Sequence, residues 1–228
     1  MKFLIQTIGG KIKHDFSFTL LESIEFQLWL RGGDSIEVLF TDEQTVPDCI
    51  PIGNISFVSK YLKDYYGITT KPINIPDDLL TLRYTGRGII NGTEKDIVGK
   101  KFVKSNDKIK FYTEICESAP EGNYQISDII PIDSEWRTFV FKGEMVGLQN
   151  YSGRFDVFPD SIRIKEMIAA YINQPIAYTL DVAVSEGETV VIEVHDFYSC
   201  GLYGFNDHNI LPFMYSRWFN EFINKNKK

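Results

Sequence analysis

Cysteine is scarce, positive charge is the minority sign, and no long apolar run occurs. The three cysteines, Cys49, Cys116 and Cys200, are odd in number and fall in no metal or redox spacing, so the chain is expected to carry reduced thiols, as in a cytoplasm. No stretch approaches the roughly 18 apolar residues of a membrane span. The strand-like Lys2-Phe-Leu-Ile-Gln-Thr7 reaches Gly9-Gly10 too soon for a signal-peptide core, which leaves the Asn54-Ile-Ser and Asn91-Gly-Thr sequons as expected chance matches. Lysine and arginine total 24 against 31 acids, a net charge of -7 that argues against a nucleic-acid binder working by phosphate neutralisation, although local basic patches stay open. What is present is the material of a soluble globular protein. At 228 residues, 43% hydrophobic and 14% aromatic, the chain can bury one larger or two small cores and line clefts with rings.

Residues 1 to about 75 alternate strand and helix signals. Phe3 to Thr7 is an apolar run closed by Gly9-Gly10, where a lone glycine pair favours a tight turn over a phosphate cradle. From Phe16 to Leu30 the positions Phe16, Leu20, Leu21, Ile24 and Leu28 make one apolar stripe, ended by Gly32-Gly33. Ser35 to Phe40 reads as a second strand, Phe57 to Tyr66 as a helix stopped by Gly67, and Lys71 to Ile75 as an extended strand ending at Pro76. That order predicts a small, mainly parallel sheet with crossover helices.

The middle of the chain carries charge in apolar strands. Asp77 to Leu82 predicts a short acid-capped helix, and Arg83 to Gly88 a polar segment in which Arg87 is expected to be solvated rather than set on a phosphate or acidic substrate. Lys100 to Phe111 predicts strand, turn, strand. Lys104 ends the first apolar run, and Lys110 stands between Ile109 and Phe111 as an inward-pointing lysine would. Such ammonium groups need an anion, which nucleotide phosphates could supply; the alternative is an exposed basic edge that guards the sheet. Tyr124 to Ile132 is a β-run bending at Pro131. Ser134 to Tyr151 is a hairpin with Lys142-Gly-Glu at its tip, and Glu135 and Arg137 share a face. An arginine held by a neighbouring acid can take a carboxylate or phosphate in bidentate fashion, with a plain cross-strand ion pair as the alternative. Gln149, Asn150 and Arg154 follow and could line an acceptor pocket.

After a helix from Pro159 to Ile172 with a core stripe of Ile164, Met167, Ile168 and Tyr171 come two β-branched strands, Tyr178 to Val184 and Thr189 to Val194. A short turn brings Asp181 near Glu193, and the period of two puts His195 beside Glu193. Paired acids in an apolar sheet call for a cation, and oxygen ligands of this kind suit Mg²⁺; otherwise both acids lie at strand ends in solvent. Glycines in Ser199 to Gly204 permit close backbone approach to a ligand, and Cys200, with no adjacent base in the sequence, is expected to be a packed thiol. A last helix, Asn209 to Asn224, docks through Ile210, Met214, Trp218 and Phe222.

These motifs, in this order, resemble the ATP-grasp superfamily. Asp181 followed by Glu193-x-His195 is similar to the acid and Glu-x-Asn that hold magnesium in that family, with His195 where Asn is usual; imidazole is a softer ligand, so Mn²⁺ is a possible substitute. Phe102-Val-Lys-Ser-Asn-Asp-Lys-Ile-Lys-Phe111 resembles the motif of a phage-associated clade named for one arginine and two lysines. The resemblance implies that Lys104 and Lys110 contact ATP phosphates and that Asp128, Ile129 and Ile130 form the interlobe hinge against adenine. Glu135-x-Arg137-x-Phe-Val is similar to the family's Glu-x-Arg-x-Phe-Val, which makes Glu135 part of the nucleotide site and Arg137 the clade's arginine. The implied fold class is α+β: an ATP-grasp module of two α+β lobes at 76–228, hinged near 127–132, behind a small α/β domain at 1–75. The implied activity is an ATP-dependent, peptide-type carboxylate-amine ligase using Mg²⁺ and an acyl-phosphate. The rivals are a phosphotransferase of the same fold and a nucleotide-binding or interaction module with a degenerate site.

Overall fold

Strand and helix signals resolve, in chain order, into β1 (Lys2–Gln6), α1 (Asp15–Arg31), β2 (Glu37–Thr41), β3 (Ile50–Ile52), α2 (Ile55–Tyr66) and α3 (Leu82–Thr85). There follow β4 (Ile89–Thr93), β5 (Lys101–Ser105), β6 (Thr113–Cys116), β7 (Asn123–Ser127), β8 (Ser134–Phe141) and β9 (Glu144–Gly153). The chain continues as α4 (Ser161–Ala170), β10 (Ala177–Ser185), β11 (Glu188–Asp196) and α5 (Leu211–Asn226). This computed structural model describes all residues except 32–35, 44, 45, 110 and 228. The glycine stop after α1, the expected strand start at Ser35 and the site expectation for Lys110 therefore lie outside the described residues. Among the described residues no helix is long and apolar enough to cross a membrane.

The chain divides into two compact units. The first comprises Met1–Thr69, Pro175–Ala177 and Asp196–Lys228. Its sheet, in the order β2-β1-β3, is parallel throughout. The buried face of α1 combines Phe16, Leu20 and Ile24 with Ser17, Ser23 and Gln27, while Leu21 and Leu28 are only half-buried. Two of these polar groups are matched, because Ser23 Oγ meets His208 Nδ1 at 2.8 Å and Gln27 Nε2 donates to the His208 carbonyl at 2.8 Å. Asn54 caps α2 by accepting from Phe57 N at 2.9 Å, and Gly67 closes it at φ 69°. At the Gly9-Gly10 turn the Gly10 amide faces the Asp42 carboxylate at 3.2 and 3.3 Å. A side-chain acid thus takes the position a phosphate would need.

One sequence expectation fails here. The third parallel strand is Ile50-Pro51-Ile52, not Lys71 to Ile75. Pro51 hides the strand in a sequence reading, yet at a sheet edge its missing amide costs nothing. Lys71 to Ile75 forms no strand because Asn74 sits at φ 55°, a left-handed conformation that breaks extension.

The second unit, Thr70–Gln174 with Tyr178–His195, holds two four-stranded sheets. One runs β4-β7-β5-β6 over a small core of Val103, Tyr124 and Ile126. The expected second strand at Lys108 to Phe111 begins later, as β6, with Thr113 opposite Lys104. Ser105 Oγ accepts from the amides of Asp107 and Lys108 at 3.2 and 3.4 Å, which folds those residues into a turn. The other sheet runs β11-β10-β8-β9, and α4 packs on it through Ile164, Met167 and Ile168 against Trp136, Val140, Leu180 and Val182. Its tight turns are Lys142-Gly143 (φ 54° and 77°) and Glu186-Gly187 (φ 51° and 84°), the paired positive φ values that two-residue hairpins require.

Asn74 ties these sheets together. Its carbonyl accepts from Val194 N at 2.7 Å, and its Nδ2 donates to the Ser105 carbonyl at 3.0 Å and Asn106 Oδ1 at 2.7 Å. Gln125 completes the tie by bonding both the amide and the carbonyl of Ile75, at 3.1 and 3.0 Å.

Candidate active site

Five charged or titratable side chains converge in the second unit because three neighbouring strands of one sheet and the end of β5 point at one another. Arg137 lies mid-way along β8 and Asp181 mid-way along β10, its neighbour in the sheet. Arg137 Nε donates to Asp181 Oδ1 at 2.8 Å and Nη2 to Oδ2 at 2.7 Å, a bidentate pair with side chains 8% and 1% exposed. The acid that holds the arginine is therefore not Glu135, two residues away on the same strand, but one 44 positions along the chain. Glu135 instead accepts from Tyr151 Oη at 2.6 Å. Burial drives the Tyr151 hydroxyl pKa well up, and the charges of Asp181 and Glu135 push the same way, so the phenol stays a donor. The Arg137 guanidinium lies 5.7 Å from the centre of the Tyr151 ring.

On β11, Glu193 contacts the Lys104 ammonium and, through its other oxygen, His195 Nε2. The side chains of Lys104 and Glu193 are 14% and 18% exposed, so Glu193 is not a solvated acid and Lys104 is not part of an exposed basic edge, whereas Lys100 and Lys108 are exposed. Burial pushes the Lys104 pKa down to about 8; Asp181 opposes this, Arg87 adds to it and Glu135 opposes it. The cations that compensate the two acids are thus Arg137 and Lys104.

Asp181, Glu193 and His195 can each turn one ligand atom to within 4.8 Å of the others. Each carboxylate oxygen carries two lone pairs, so the bonds to Arg137 and Lys104 leave acceptor capacity for a metal. Two carboxylates and an imidazole fit a small divalent cation: oxygen suits Mg²⁺, and the nitrogen admits Mn²⁺.

Asp128 follows β7, where its carboxylate accepts from Lys101 Nζ at 2.6 Å and from Gly88 N at 3.1 Å. The Lys101 hydrogen bond, ahead of other causes, holds its pKa below the usual range. Ile129 is exposed and Ile130 half-buried. Gln149 stands opposite Arg137 in the β8–β9 register. Asn150 Nδ2 bonds the carbonyls of Glu135 and Ser152 at 3.1 and 3.0 Å beside a bulge, and Arg154 pairs with Asp156 at 3.0 Å on the surface. Those two residues serve local structure. Cys200 is buried, as expected of a packed thiol.

Arg87 contradicts its sequence reading: it is 8% exposed, not solvated. Tyr151 and Asn74 were passed over in the sequence. Nothing local marks Tyr151, whose ring reaches Glu135 only through the bulge in the β8–β9 register; for Asn74, the residue type most tolerant of left-handed backbone was the available signal.

A family model described as ATP-grasp domain, R2K clade family 3, matches residues 74–212. The chain belongs to that family. No curated protein matches it. Solved ATP-grasp structures match at the level of fold: a RimK domain protein ATP-grasp from Sphaerobacter thermophilus superposes with TM-score 0.58 at 11% identity, over 96% of this chain and 100% of that one. D-alanine–D-alanine ligase from Bacillus anthracis gives 0.53 at 11% identity, over 99% and 98%. The ATP-grasp ligase PsnB with its minimal precursor gives 0.52 at 12% identity, over 96% and 99%. At these identities the likeness is one of fold, and the R2K site is read from this chain's own residues.

Proposed function

We propose that this R2K protein is an ATP-dependent carboxylate-amine ligase of peptide type. The γ-phosphoryl group of ATP passes to a substrate carboxylate with departure of ADP, and an amine attacks the acyl-phosphate with release of inorganic phosphate. The observation that carries this reading is the matched set of two acids and two cations in direct pairs, Asp181 with Arg137 buried and Glu193 with Lys104 half-buried, within an ATP-grasp domain. Phosphoryl transfer asks for alignment and charge neutralisation rather than a protein nucleophile. Lys104 and Arg137 supply positive charge for phosphate oxygens, with Lys110 assigned the same task by its motif. Asp181, Glu193 and His195 would hold Mg²⁺ or Mn²⁺, which when bound neutralises further phosphate charge. Asp128, Ile129 and Ile130 take the adenine edge, and Glu135 fixes the Tyr151 hydroxyl beside Arg137. Residues 1–75 serve as the small domain ahead of the ATP-grasp module at 76–228, of which Pro175–Ala177 and Asp196–Lys228 fall in the first compact unit.

The test is a panel of amino acids and short peptides incubated with MgATP and hydroxylamine. ADP release with a hydroxamate trapped on one carboxylate is the expected result. ADP release with phosphate transferred and no hydroxamate for any acid would overturn the ligase reading in favour of a phosphotransferase. One observation favours a binding module instead: both acids already have side-chain cations, so nucleotide could be bound without turnover.

A further inference from the structure

Lys104 and Arg137 are both engaged by carboxylates, whereas a third cation of the same unit is not. Arg87 is 8% exposed, yet among the described residues it forms no ion pair. Its Nη1 donates to the carbonyls of Thr85 and Val191, at 2.9 and 3.0 Å, and its Nε and Nη2 make no hydrogen bond among the described residues. Nη1 is thus fixed by neutral carbonyls, whereas Nε and Nη2, which are not among the buried atoms lacking a partner, keep an open edge that an anionic acceptor can reach.

Its position is built rather than incidental. Gly86 adopts φ 61°, and a Cβ there would stand 2.7 Å from Val190 Cγ1; a Cβ on Gly88 would stand 2.6 Å from Asp128 Oδ2. The two glycines let Arg87 pass between β11 and the segment after β7. The Val191 carbonyl that fixes Nη1 lies two residues before Glu193 on β11. Arg87 also acts electrostatically on Lys104, and Asp128 acts on Arg87, so it belongs with both the proposed phosphate lysine and the proposed adenine segment.

We infer that Arg87 is a further nucleotide-binding residue, whose unengaged guanidinium edge takes oxygens of the polyphosphate chain. The assignment rests on the nucleotide being bound at this site. Lys104 and Arg137 must exchange a carboxylate for a phosphate when ligand enters, but Arg87 needs no exchange. It is therefore the cation that receives polyphosphate even without metal, and it gives inorganic tripolyphosphate and metal-free ATP a measurable affinity.

The experiment is calorimetry of ATP and tripolyphosphate, with and without Mg²⁺, on the wild-type chain, R87K and R87M, with thermal melts to confirm folding. Loss of bidentate, charge-assisted bonds predicts metal-free affinity lower by about 10- to 100-fold in R87M and less in R87K. Wild-type binding of MgATP together with unchanged metal-free affinity in folded R87K and R87M would overturn the assignment and leave the ligase reading standing. No binding of any nucleotide or of tripolyphosphate by the wild type would overturn both. Should R87M fail to fold, the Arg87 Nε–H resonance of the wild type, assigned by its loss in R87K, replaces it. A shift on titrating tripolyphosphate supports the contact, and an unmoved resonance at saturating ligand overturns it.

Discussion

Asp181 and Arg137 stabilise each other only as a pair. Both are nearly sealed from water, so removing the carboxylate leaves a guanidinium uncompensated while removing both charges does not. D181A is expected to lose about 3–5 kcal/mol of unfolding free energy, and the double variant D181L/R137M to regain most of it. Urea denaturation of the three proteins measures this directly. A D181A protein as stable as wild type would show that the pair is not buried in solution. The sequence marked each of these residues as out of place in an apolar strand, which is why both were legible as site candidates. Their pairing was not legible. Local sequence favours the nearest acid, Glu135, whereas the observed contact follows from β8 lying next to β10, a fact of strand order that no short stretch encodes.

Among the elements, hairpins were the readable ones: turn residues and β-branched alternation located β8–β9 and β10–β11 to within a residue or two. The misread elements have specific causes. Pro51 concealed β3, and the apolar Ile73 and Ile75 suggested a strand where Asn74 turns the backbone left-handed. That error conceals a structural device, since Asn74 clips Val194 to Ser105, the neighbours of Glu193 and Lys104. Replacement separates its two contributions. N74G keeps the backbone conformation and loses the side-chain bonds, whereas N74A also acquires the strain of a non-glycine residue at positive φ, about 1–2 kcal/mol. N74A is thus expected to melt below N74G, and N74G below wild type, in differential scanning calorimetry. Equal melting of all three would remove Asn74 from the account of how the site is held.

At the scale of the whole molecule, an acidic chain sets two cations, Arg137 and Lys104, directly against one pair of carboxylates. Family membership was legible from motif order, because charges at fixed spacing in apolar strands survive as a pattern even where strand pairing cannot be foreseen. Arg87 escaped because a Gly-Arg-Gly segment looks like loop until β11 is seen to bury it. On the proposed reading, Glu193, now paired with Lys104, would be a ligand of a bound divalent cation, and Lys104 would then be free to meet phosphate. Calorimetric titration of ATP into wild type and E193Q, with Mg²⁺ and without, tests it most directly. Mg²⁺ is expected to strengthen wild-type binding, and E193Q to lose ~10-fold or more of its MgATP affinity while its metal-free affinity is undiminished because Lys104 is released. A folded wild-type protein that binds no MgATP, or an E193Q protein that binds it as tightly as wild type, would contradict it.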